Sequence, residues 1–450
     1  RSYFGRVMYS YADRYLFQAN IRHDGSSRFA KKHRWGTFPS FSAGWVLSEE
    51  NFMKNLNWEW LSFLKIRATW GALGNERIGD FPYMSTIAFG NTIFYQNNGI
   101  YFDQTASQQK YAIENVTWEK TESTDIGLDI SFLNNRLRVN GDYYWKNTKD
   151  MLLAMAIPDF LGFSDPDVNA GKMSTKGYEL NVSWNDHIGD FSYGIAINFS
   201  DFTSKMGDLQ GTQFLGDKVK MEGSEFNEWY GYVSDGLFLT EEDLKNSPKI
   251  NDKNTQLGDI KYKDISGPDG VPDGKISPEY DRVLLGSSLP HFLYGGNINL
   301  GYKNFDLSLA FQGVGKQNAR LAREMVEPFR NNYGNFPAII DGNYWSPYNT
   351  DEQNAVAKYP RLTHVNKSSN YAMSDYWLFN GGYFRLKNIT LGYTFPKEWM
   401  NAIGIKGARI YASASDLFCL SKYPKGWDPE MGVSEYPITT SILLGVSVNF

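Results

Sequence analysis

Six carboxylates lie within 23 residues of this chain, at Asp259, Asp264, Asp269, Asp273, Glu279 and Asp281. Hard cations such as Ca²⁺ bind several oxygen ligands on a tightly turned loop, and the Asp-Gly turns at Gly270 and Gly274 supply both. EF-hand spacing from Asp269 is imperfect, because Val271 stands at the third position and the closing Asp281 comes one residue late. The stretch therefore predicts either an acidic solvated loop or a Ca²⁺ site with ligands from Asp264, Asp269, Asp273, Lys275, Ser277 and Asp281.

The sequence offers little support for catalysis. Its five histidines are scattered, at His23, His33, His187, His291 and His364, and none belongs to a His-Glu-x-x-His zinc motif. A Gly-x-Ser-x-Gly nucleophile turn and a Gly-rich phosphate loop are also absent from the sequence. We therefore expect no enzyme activity.

Aromatic side chains are unusually frequent, at 16% of the chain. Those outside the regular alternating stretches could stack on sugar faces or meet a partner protein, since aromatic rings dominate both kinds of contact. The principal candidates are Trp229, Tyr230, Tyr232, Tyr344, Trp345 and Trp427; the wider set adds Phe329, Tyr333, Phe336, Tyr348 and Trp377. The alternative for each residue is that it holds a long loop together.

The elements that would position these residues are thirteen stretches that alternate apolar and polar residues with period two. The last is the clearest, because Ile442, Leu444, Val446, Val448 and Phe450 share one face while polar or small residues fill most of the other. One face suits hydrocarbon and the other suits water. The pattern predicts an all-β protein, a transmembrane antiparallel β-barrel that occupies residues 1–450. The predicted strands are Tyr3–Tyr11, Tyr15–Arg22, Trp35–Leu47, Leu64–Trp70, Asp125–Phe132, Leu137–Lys146, Tyr178–Trp184, Phe191–Phe199, Phe292–Tyr302, Phe305–Phe311, Tyr383–Phe395, Ala408–Ala414 and Ile442–Phe450.

Short and long connections alternate between these strands, and the longest span 204–290 and 315–382. Outer-membrane barrels have short periplasmic turns and long extracellular loops, so the first and last strands should run toward the periplasm and leave the carboxy terminus there. Thirteen strands in that arrangement cannot close a barrel alone. We therefore expect that the chain, which opens on Arg1 without a charged and apolar leader, is a fragment or a mature piece.

Bulk composition agrees with this interpretation. Mean hydropathy is −0.46, and the longest apolar run, from Met151 to Ile157, falls far short of the ~20 residues that a membrane helix needs. Mean hydropathy and apolar run length do not reveal the strands of a barrel, because every second residue of such a strand faces the lumen and is polar. A net charge of −5 without a Lys/Arg cluster argues against a nucleic-acid partner. The alternating strands make outer-membrane lipid the expected surroundings. The single cysteine, Cys419, cannot form an internal disulfide.

Several runs resemble the SusC/RagA family of TonB-dependent outer-membrane transporters. They are Tyr3-Phe4-Gly5-Arg6-Val7, Arg22-His23-Asp24-Gly25-Ser26-Ser27-Arg28-Phe29, Arg34-Trp35-Gly36-Thr37-Phe38-Pro39-Ser40, Leu64-Lys65-Ile66-Arg67-Ala68-Thr69-Trp70-Gly71, Trp118-Glu119-Lys120-Thr121, Asp235-Gly236-Leu237-Phe238 and Phe384-Arg385-Leu386-Lys387-Asn388-Ile389. The resemblance implies the last thirteen strands of a barrel of about twenty-two. It also implies import of oligosaccharides or peptides, a SusD-like surface lipoprotein as partner, and energy from TonB-ExbB-ExbD through a plug that precedes the barrel.

Other functions remain open at this point. A solitary TonB-dependent receptor for a metal chelate and a passive porin share the barrel pattern. A soluble secreted carbohydrate-binding or hydrolytic propeller is a different class, but it would need a repeated blade motif, which the sequence does not contain. The sequence does not identify the cargo.

Overall fold

The computed structural model describes residues 1–96, 99–108, 111–155, 157–211, 213–330, 336–431 and 435–450. Thirteen strands form one antiparallel sheet in which each strand pairs with its neighbours in the chain. They are β1 (Ser2–Tyr11), β2 (Tyr15–Gly25), β3 (Trp35–Val46), β4 (Leu61–Asn75), β5 (Glu119–Phe132), β6 (Leu137–Lys149), β7 (Met173–Ile188), β8 (Phe191–Met206), β9 (His291–Tyr302), β10 (Phe305–Lys316), β11 (Tyr383–Thr394), β12 (Gly407–Ser421) and β13 (Ser441–Asn449). Each of the thirteen predicted stretches is a strand, so the all-β prediction is confirmed.

The connections alternate as predicted. Those after odd-numbered strands span 12–14, 47–60, 133–136, 189–190, 303–304 and 395–406; those after even-numbered strands span 26–34, 76–118, 150–172, 207–290, 317–382 and 422–440. In an antiparallel sheet of consecutive neighbours, every even-numbered strand ends at the same edge. The long connections therefore all leave the edge opposite to the short turns.

The predictions for β8 and β12 ended too early, because β8 continues past Phe199 to Met206 and β12 continues past Ala414 to Ser421. A bulge between Leu386 and Asn388 shifts the pairing of β11 with β12, after which Leu386 lies opposite Phe418. A bulge breaks the period of two, so the alternation that identifies a strand stops although the hydrogen bonding continues.

Short elements fill the long connections. One hairpin, Ile87–Gln96 with Gly99–Gln108, was not predicted. The other short strands are Leu152–Ala154, Asp167–Asn169, Lys218–Val219, Glu228–Tyr232, Ser234–Leu237, Ile260–Tyr262, Arg282–Gly286, Asn318–Arg320 and Leu378–Asn380. The α-helices are Asn51–Asn55, Glu241–Asn246, Arg323–Val326, Asp351–Ala355, Lys367–Asn370 and Lys397–Ala402; 3₁₀ turns are Leu47–Glu49, Asp159–Leu161, Ala338–Ile340 and Asp375–Trp377. In the part of the chain that the structure describes, no helix has the length and apolar character to cross a membrane.

The chain divides into two compact units, and the first comprises Arg1–Ser183, Asp201–Gln213 and Met221–Gly223. On one face of its strands the Arg67 guanidinium lies 2.7 Å from the carboxylate of Asp142, 3.3 Å from that of Asp129 and 3.7 Å from that of Asp125. The opposite face exposes apolar side chains, including Phe17 at 46% and Ile66 at 41%. One face is thus charged and the other apolar, as the alternation predicts.

The second unit comprises Trp184–Ser200, Phe214–Lys220 and Ser224–Phe450. Its strands also expose an apolar face, with Ile197 at 46%, Leu391 at 52% and Leu444 at 82%. The opposite face carries polar pairs such as Arg409 and Asp306, whose Nε and Oδ1 atoms are 3.2 Å apart. Aromatic rings pack beside the short turn of β9 and β10, where Phe305 and Tyr393 have centroids 4.7 Å apart.

Candidate functional site

Within the second unit, residues 224–290 and 317–382 of the two longest connections fold together around one hydrophobic core, and we call these residues the loop layer. The core consists of Tyr232, Leu237, Ile260, Tyr262, Ile276, Met325, Val326, Ile340, Tyr371 and Trp377. The Tyr262 hydroxyl donates to the Ser369 carbonyl at 2.7 Å, and the rings of Tyr371 and Trp377 stack at 5.1 Å. Burial raises the pKa of the Tyr262 hydroxyl far above its ordinary range, so it stays a neutral donor.

A buried carboxylate joins the two halves of the loop layer. Asp259, in the first connection, is fully buried and accepts hydrogen bonds from Arg361 Nε at 2.7 Å and Arg361 Nη2 at 3.2 Å. Its oxygens also accept from Asn366 Nδ2 at 2.8 Å, Asn370 Nδ2 at 2.9 Å and the Gln256 backbone N–H at 2.9 Å. A buried charge is stable only when it is paired and hydrogen-bonded, and Asp259 meets both conditions.

Asn370 extends this network into the hydrophobic core. Its side-chain Oδ1 accepts the Ile260 backbone N–H at 2.9 Å, and its carbonyl accepts the Trp377 indole N–H at 2.9 Å. The positions of the core side chains on both connections therefore depend on the one carboxylate of Asp259.

An exposed edge of the loop layer carries a second ion-pair group. The Lys261 ammonium lies 2.9 Å from an Asp243 carboxylate oxygen and 3.0 Å from one of Asp235. Burial works to raise the pKa of Asp243, but the hydrogen bonds from Lys261 and Ser247 outweigh it and hold the pKa below its ordinary 3.8. This group stabilises the helix Glu241–Asn246 against the strand Ile260–Tyr262.

The predicted Ca²⁺ ligands divide into buried and exposed members. Asp281 is fully buried, and its two oxygens accept the backbone N–H groups of Ile265 at 2.8 Å and Ser277 at 2.6 Å. Asp264 accepts the Gly274 N–H at 2.5 Å, and Asp273 accepts the N–H of Lys275 at 3.0 Å, while Asp269 is exposed.

These carboxylates therefore close turns of their own loop. Across the described ranges, no group of three or more His, Cys, Asp or Glu side chains is placed to hold a metal ion. Ca²⁺ binding by Asp264, Asp269, Asp273, Lys275, Ser277 and Asp281 stays a prediction.

A large cavity of about 1160 Å³ opens between the connection 317–382 and the connection 422–440, and we call it the loop cavity. It is lined by Leu321, Glu324, Met325, Glu327, Arg330, Phe336, Pro337, Ala338, Ile339, Lys358, Tyr359, Phe379, Lys422, Pro424, Lys425 and Trp427. Pockets for drug-sized ligands measure ~300–1,000 Å³, so this cavity has room for an oligomer. Of the predicted contact residues, Trp427 and Phe336 lie here.

A buried arginine on β11 positions the cavity wall that carries Trp427. Arg385 is 3% exposed, and its Nη2 lies 2.6 Å from both carboxylate oxygens of Asp428. Its Nε lies 2.5 Å from Glu430 Oε1, and Glu430 Oε2 also accepts from Gln312 Nε2 at 2.8 Å. The connection is thus held to two strands directly after Trp427.

The wall itself is a tight turn. The Trp427 backbone N–H donates to the Pro424 carbonyl at 3.2 Å, and Gly426, the third residue of this turn, has φ of +88°. A positive φ at the third position is the requirement of a type II turn and favours glycine. Gly426 therefore sets the direction in which Trp427 leaves the turn.

Tyr344 and Trp345 line a second cavity, of about 580 Å³, with Gln256, Tyr348 and Arg361. Trp345 packs against the loop-layer core and lies so close to Gly258 that a Cβ there would come within 2.3 Å of its indole. Tyr348 is 97% exposed. Trp345 thus has a packing role, while Tyr348 presents a free aromatic surface.

The remaining predicted aromatic residues lie elsewhere. The Trp229 indole N–H donates to the Asn318 carbonyl at 2.5 Å, and the Arg282 guanidinium lies 4.4 Å from the centre of the Tyr230 ring. Tyr232 is only 6% exposed and belongs to the core, so it offers no surface to a ligand. Trp377 is likewise buried at 2%, whereas Tyr333 lies outside the described residues.

Sequence reasoning missed the residues that organise the site. Arg361, Asn366 and Asn370 stand in no motif, and their partner Asp259 is distant in the chain, 102 residues away from Arg361. Arg385 belongs to a run that resembles the family, but its pairing with Asp428, 43 residues away, has no local signal. The cavity lysines were missed for the same reason, because Lys358 meets Lys422 and Lys425 only in the fold.

The sequence of this chain is similar to those of known proteins over most of its length. Residues 1–417 match the family model described as TonB dependent receptor-like, beta-barrel. The chain is 32% identical over 468 residues to the TonB-dependent receptor SusC of Bacteroides thetaiotaomicron, covering 100% of this chain and 43% of that protein. It is 31% identical over 453 residues to the TonB-dependent receptor P3 of Formosa agariphila, covering 95% of this chain and 42% of that protein.

A solved structure shares the fold. The chain superposes on the RagAB peptide transporter with a TM-score of 0.79 and 22% sequence identity, covering 100% of this chain and 47% of that one. The chain therefore spans less than half the length of the relatives it matches.

Proposed function

Because this chain belongs to the TonB-dependent receptor β-barrel family, we propose that it supplies part of the barrel of an outer-membrane importer of oligosaccharides. The observation that carries this proposal is the likeness to SusC, at 32% identity over the full chain. The compared region covers the whole chain and therefore includes the connections as well as the strands. A peptide cargo is the second candidate, favoured by the fold shared with the RagAB peptide transporter.

The proposed orientation follows from the connections. Outer-membrane barrels keep short turns in the periplasm and long loops outside. On this proposal the loop layer and the loop cavity face the medium, and Phe450 lies on the periplasmic side. The apolar faces of the strands, with Ile197 and Leu444 exposed, contact lipid.

The proposed partner is a SusD-like surface lipoprotein that covers the loop layer. A layer with its own hydrophobic core is a stable platform for such a lid, and it exposes Tyr348 at 97% and Val356 at 74%. Large exposed aromatic and apolar side chains are enriched at interface cores. The energy-transducing TonB-ExbB-ExbD complex would act through a plug region, which is not among these 450 residues.

Two alternatives within the same family make different predictions. A solitary receptor for a metal chelate would need no lipoprotein, and a passive porin would need no TonB. A soluble propeller is incompatible with the family to which the chain belongs. In the importer, the solitary receptor and the porin alike, the proposed role of the chain is transport without a catalytic step.

The test uses the full-length transporter in its native host. Deleting its gene should abolish uptake of fluorescently labelled oligosaccharides while uptake of labelled peptides of similar size continues, and the intact gene should restore uptake. An affinity-tagged transporter should co-purify a lipoprotein from native membranes, and Tyr348→Glu should weaken that association more than Val271→Glu, which changes a side chain 59% exposed in the acidic stretch.

Three results would overturn the proposal. Loss of peptide uptake alone would establish the second candidate. A transporter that purifies alone and imports normally would be a solitary receptor. Uptake that continues after TonB is removed would be passive.

A further inference from the structure

We propose that the loop cavity binds the acidic groups of an anionic oligosaccharide, such as uronate carboxylates, through Lys358, Lys422 and Lys425. The proposal rests on the proposed import function and names the chemical class of its cargo. It begins with charge, because four lysine or arginine side chains and only two glutamates line the cavity. The chain as a whole carries a net charge of −5, so this local excess of positive charge is not a consequence of composition.

The two glutamates of the lining already have cationic partners. Glu324 pairs with Arg330, and Glu327 lies 2.6 Å from Arg323 and 3.4 Å from Lys367. Lys358, Lys422 and Lys425, by contrast, have no ion-pair partner among the residues that the structure describes. Three unpaired ammonium groups around one concave surface attract an anion, since a cleft lined by one sign of charge focuses its field.

Aromatic rings stand beside these lysines. Trp427 is 37% exposed and Phe336 is 39% exposed, so both keep ring surface free within the cavity lining. A flat ring packs on the C–H face of a sugar, while an ammonium group binds the carboxylate or sulfate on its edge. An anionic oligosaccharide offers both apolar sugar faces and acidic groups along one chain. A neutral glycan has no acidic group for the three lysines to bind.

The wall that carries two of the lysines is rigidly attached. Lys425 lies in the turn that Gly426 shapes, Lys422 lies two residues before that turn, and Arg385 holds Asp428 directly after Trp427. Preorganised groups lose less entropy when a ligand binds. The backbone that carries these lysines is therefore held in place before the cargo arrives.

The experiment measures binding by isothermal titration calorimetry to the purified full-length transporter, together with its lipoprotein if one co-purifies. The probes are a linear tetramer of galacturonic acid and its fully methyl-esterified form, which keeps the sugars and removes the charge. We expect the acid to bind at least tenfold more tightly than the ester, with an affinity that falls as salt rises.

Variants locate the effect. Each of Lys358→Gln, Lys422→Gln and Lys425→Gln should weaken binding of the acid by about 2- to 5-fold, the range that one exposed ion pair supplies, and should leave the ester unaffected. Lys253→Gln, on an exposed lysine outside the cavity, is the control for net charge. Trp427→Ala should weaken both probes, and Lys422→Arg should retain affinity for the acid.

The proposal is overturned if acid and ester bind equally, or if the three lysine variants behave as Lys253→Gln does. Tighter binding of tetra-glutamate than of tetra-galacturonate would assign the cavity to acidic peptides instead. Because calorimetry reports binding without transport, a transporter that binds the acid but is dispensable for uptake would refute the proposed import function and leave the site intact.

Discussion

Asp259→Ala should release the loop layer while the strands of the sheet stay folded. The substitution removes the acceptor of five hydrogen bonds and leaves the Arg361 guanidinium, whose side chain is only 15% exposed, without its counter-charge. Removing one partner of a buried ion pair costs ~3–5 kcal/mol. Since each 1.4 kcal/mol is a factor of ten, opening of the loop layer should become about two to four powers of ten more frequent.

Hydrogen exchange read by mass spectrometry on the full-length transporter in detergent checks this value. The most informative amide is that of Ile260, which donates to Asn370 Oδ1 and should lose its protection. Peptides from β9 and β10 should exchange as in the wild type. Asp269→Ala is the matched control, because it removes an exposed carboxylate from the same acidic stretch.

A double-mutant cycle separates the ion pair from the remaining contacts of Asp259. Arg361→Ala alone leaves a buried carboxylate uncompensated, so it should be nearly as harmful as Asp259→Ala. The double variant should then be much less destabilised than the sum of the two, because neither charge is left without its partner. If Asp259→Ala and Asp269→Ala exchange alike, the buried carboxylate does not hold the loop layer together and this reasoning is wrong.

The remaining predictions concern the membrane, the carboxy terminus, metal and pH. Leu444→Arg should cost ~2–4 kcal/mol if the residue lies near mid-bilayer, whereas Ser447→Arg on the other face should cost much less; equal assembly yields in an outer-membrane insertion assay would contradict the assigned faces. Deleting Phe450, which is 82% exposed, should lower the yield of folded barrel measured by heat-modifiable gel mobility, and an unchanged yield would count against a role in assembly. If Ca²⁺ binds the acidic stretch, Asp273→Ala should abolish Ca²⁺-dependent protection of 207–290 against protease, and metal analysis without bound Ca²⁺ would reduce the stretch to a solvated loop. Because folding lowers the pKa of Asp243, its carboxylate contributes fully to the stability of the loop layer above the ordinary value of 3.8, and this contribution is lost as the pH falls below that value. Proteolysis at the helix Glu241–Asn246 should therefore increase below pH 3.8 in the wild type. In Asp243→Asn, which has no carboxylate to protonate, this increase should be absent.

Alternation alone predicts every strand of the sheet, because lipid and water on opposite faces impose a period of two on each of them. It fails where that period is broken. The bulge at Leu386 and Asn388 hid the second half of β12. The hairpin Ile87–Gln96 with Gly99–Gln108 was missed because its alternation is interrupted: Asn91 pairs with Gln104 on the more apolar face, and Phe94 pairs with Tyr101 on the more polar face.

The candidate site was predictable only in part. The aromatic content of the loops drew attention to Trp427, which does line the loop cavity, but also to Tyr232, which is buried. The acidic stretch combines two fully buried carboxylates, Asp259 and Asp281, with exposed ones of the same residue type. The side-chain partners of Asp259 lie more than a hundred residues away, and no local pattern of charge distinguishes Asp259 from Asp269.

The bond between Asp259 and Arg361 also acts as a check on strand register. The two residues belong to the connections that precede β9 and follow β10, so the pairing of those strands sets the distance between them. Slipping one residue along a strand moves the chain by about 3.4 Å. That displacement is longer than the 2.7 Å contact itself, and it would also turn each side chain to the opposite face. A slip of this pair of strands would therefore strain the contact between Asp259 and Arg361, and we expect protease resistance of the loop layer to report correct pairing of β9 with β10 as well as folding of the loops.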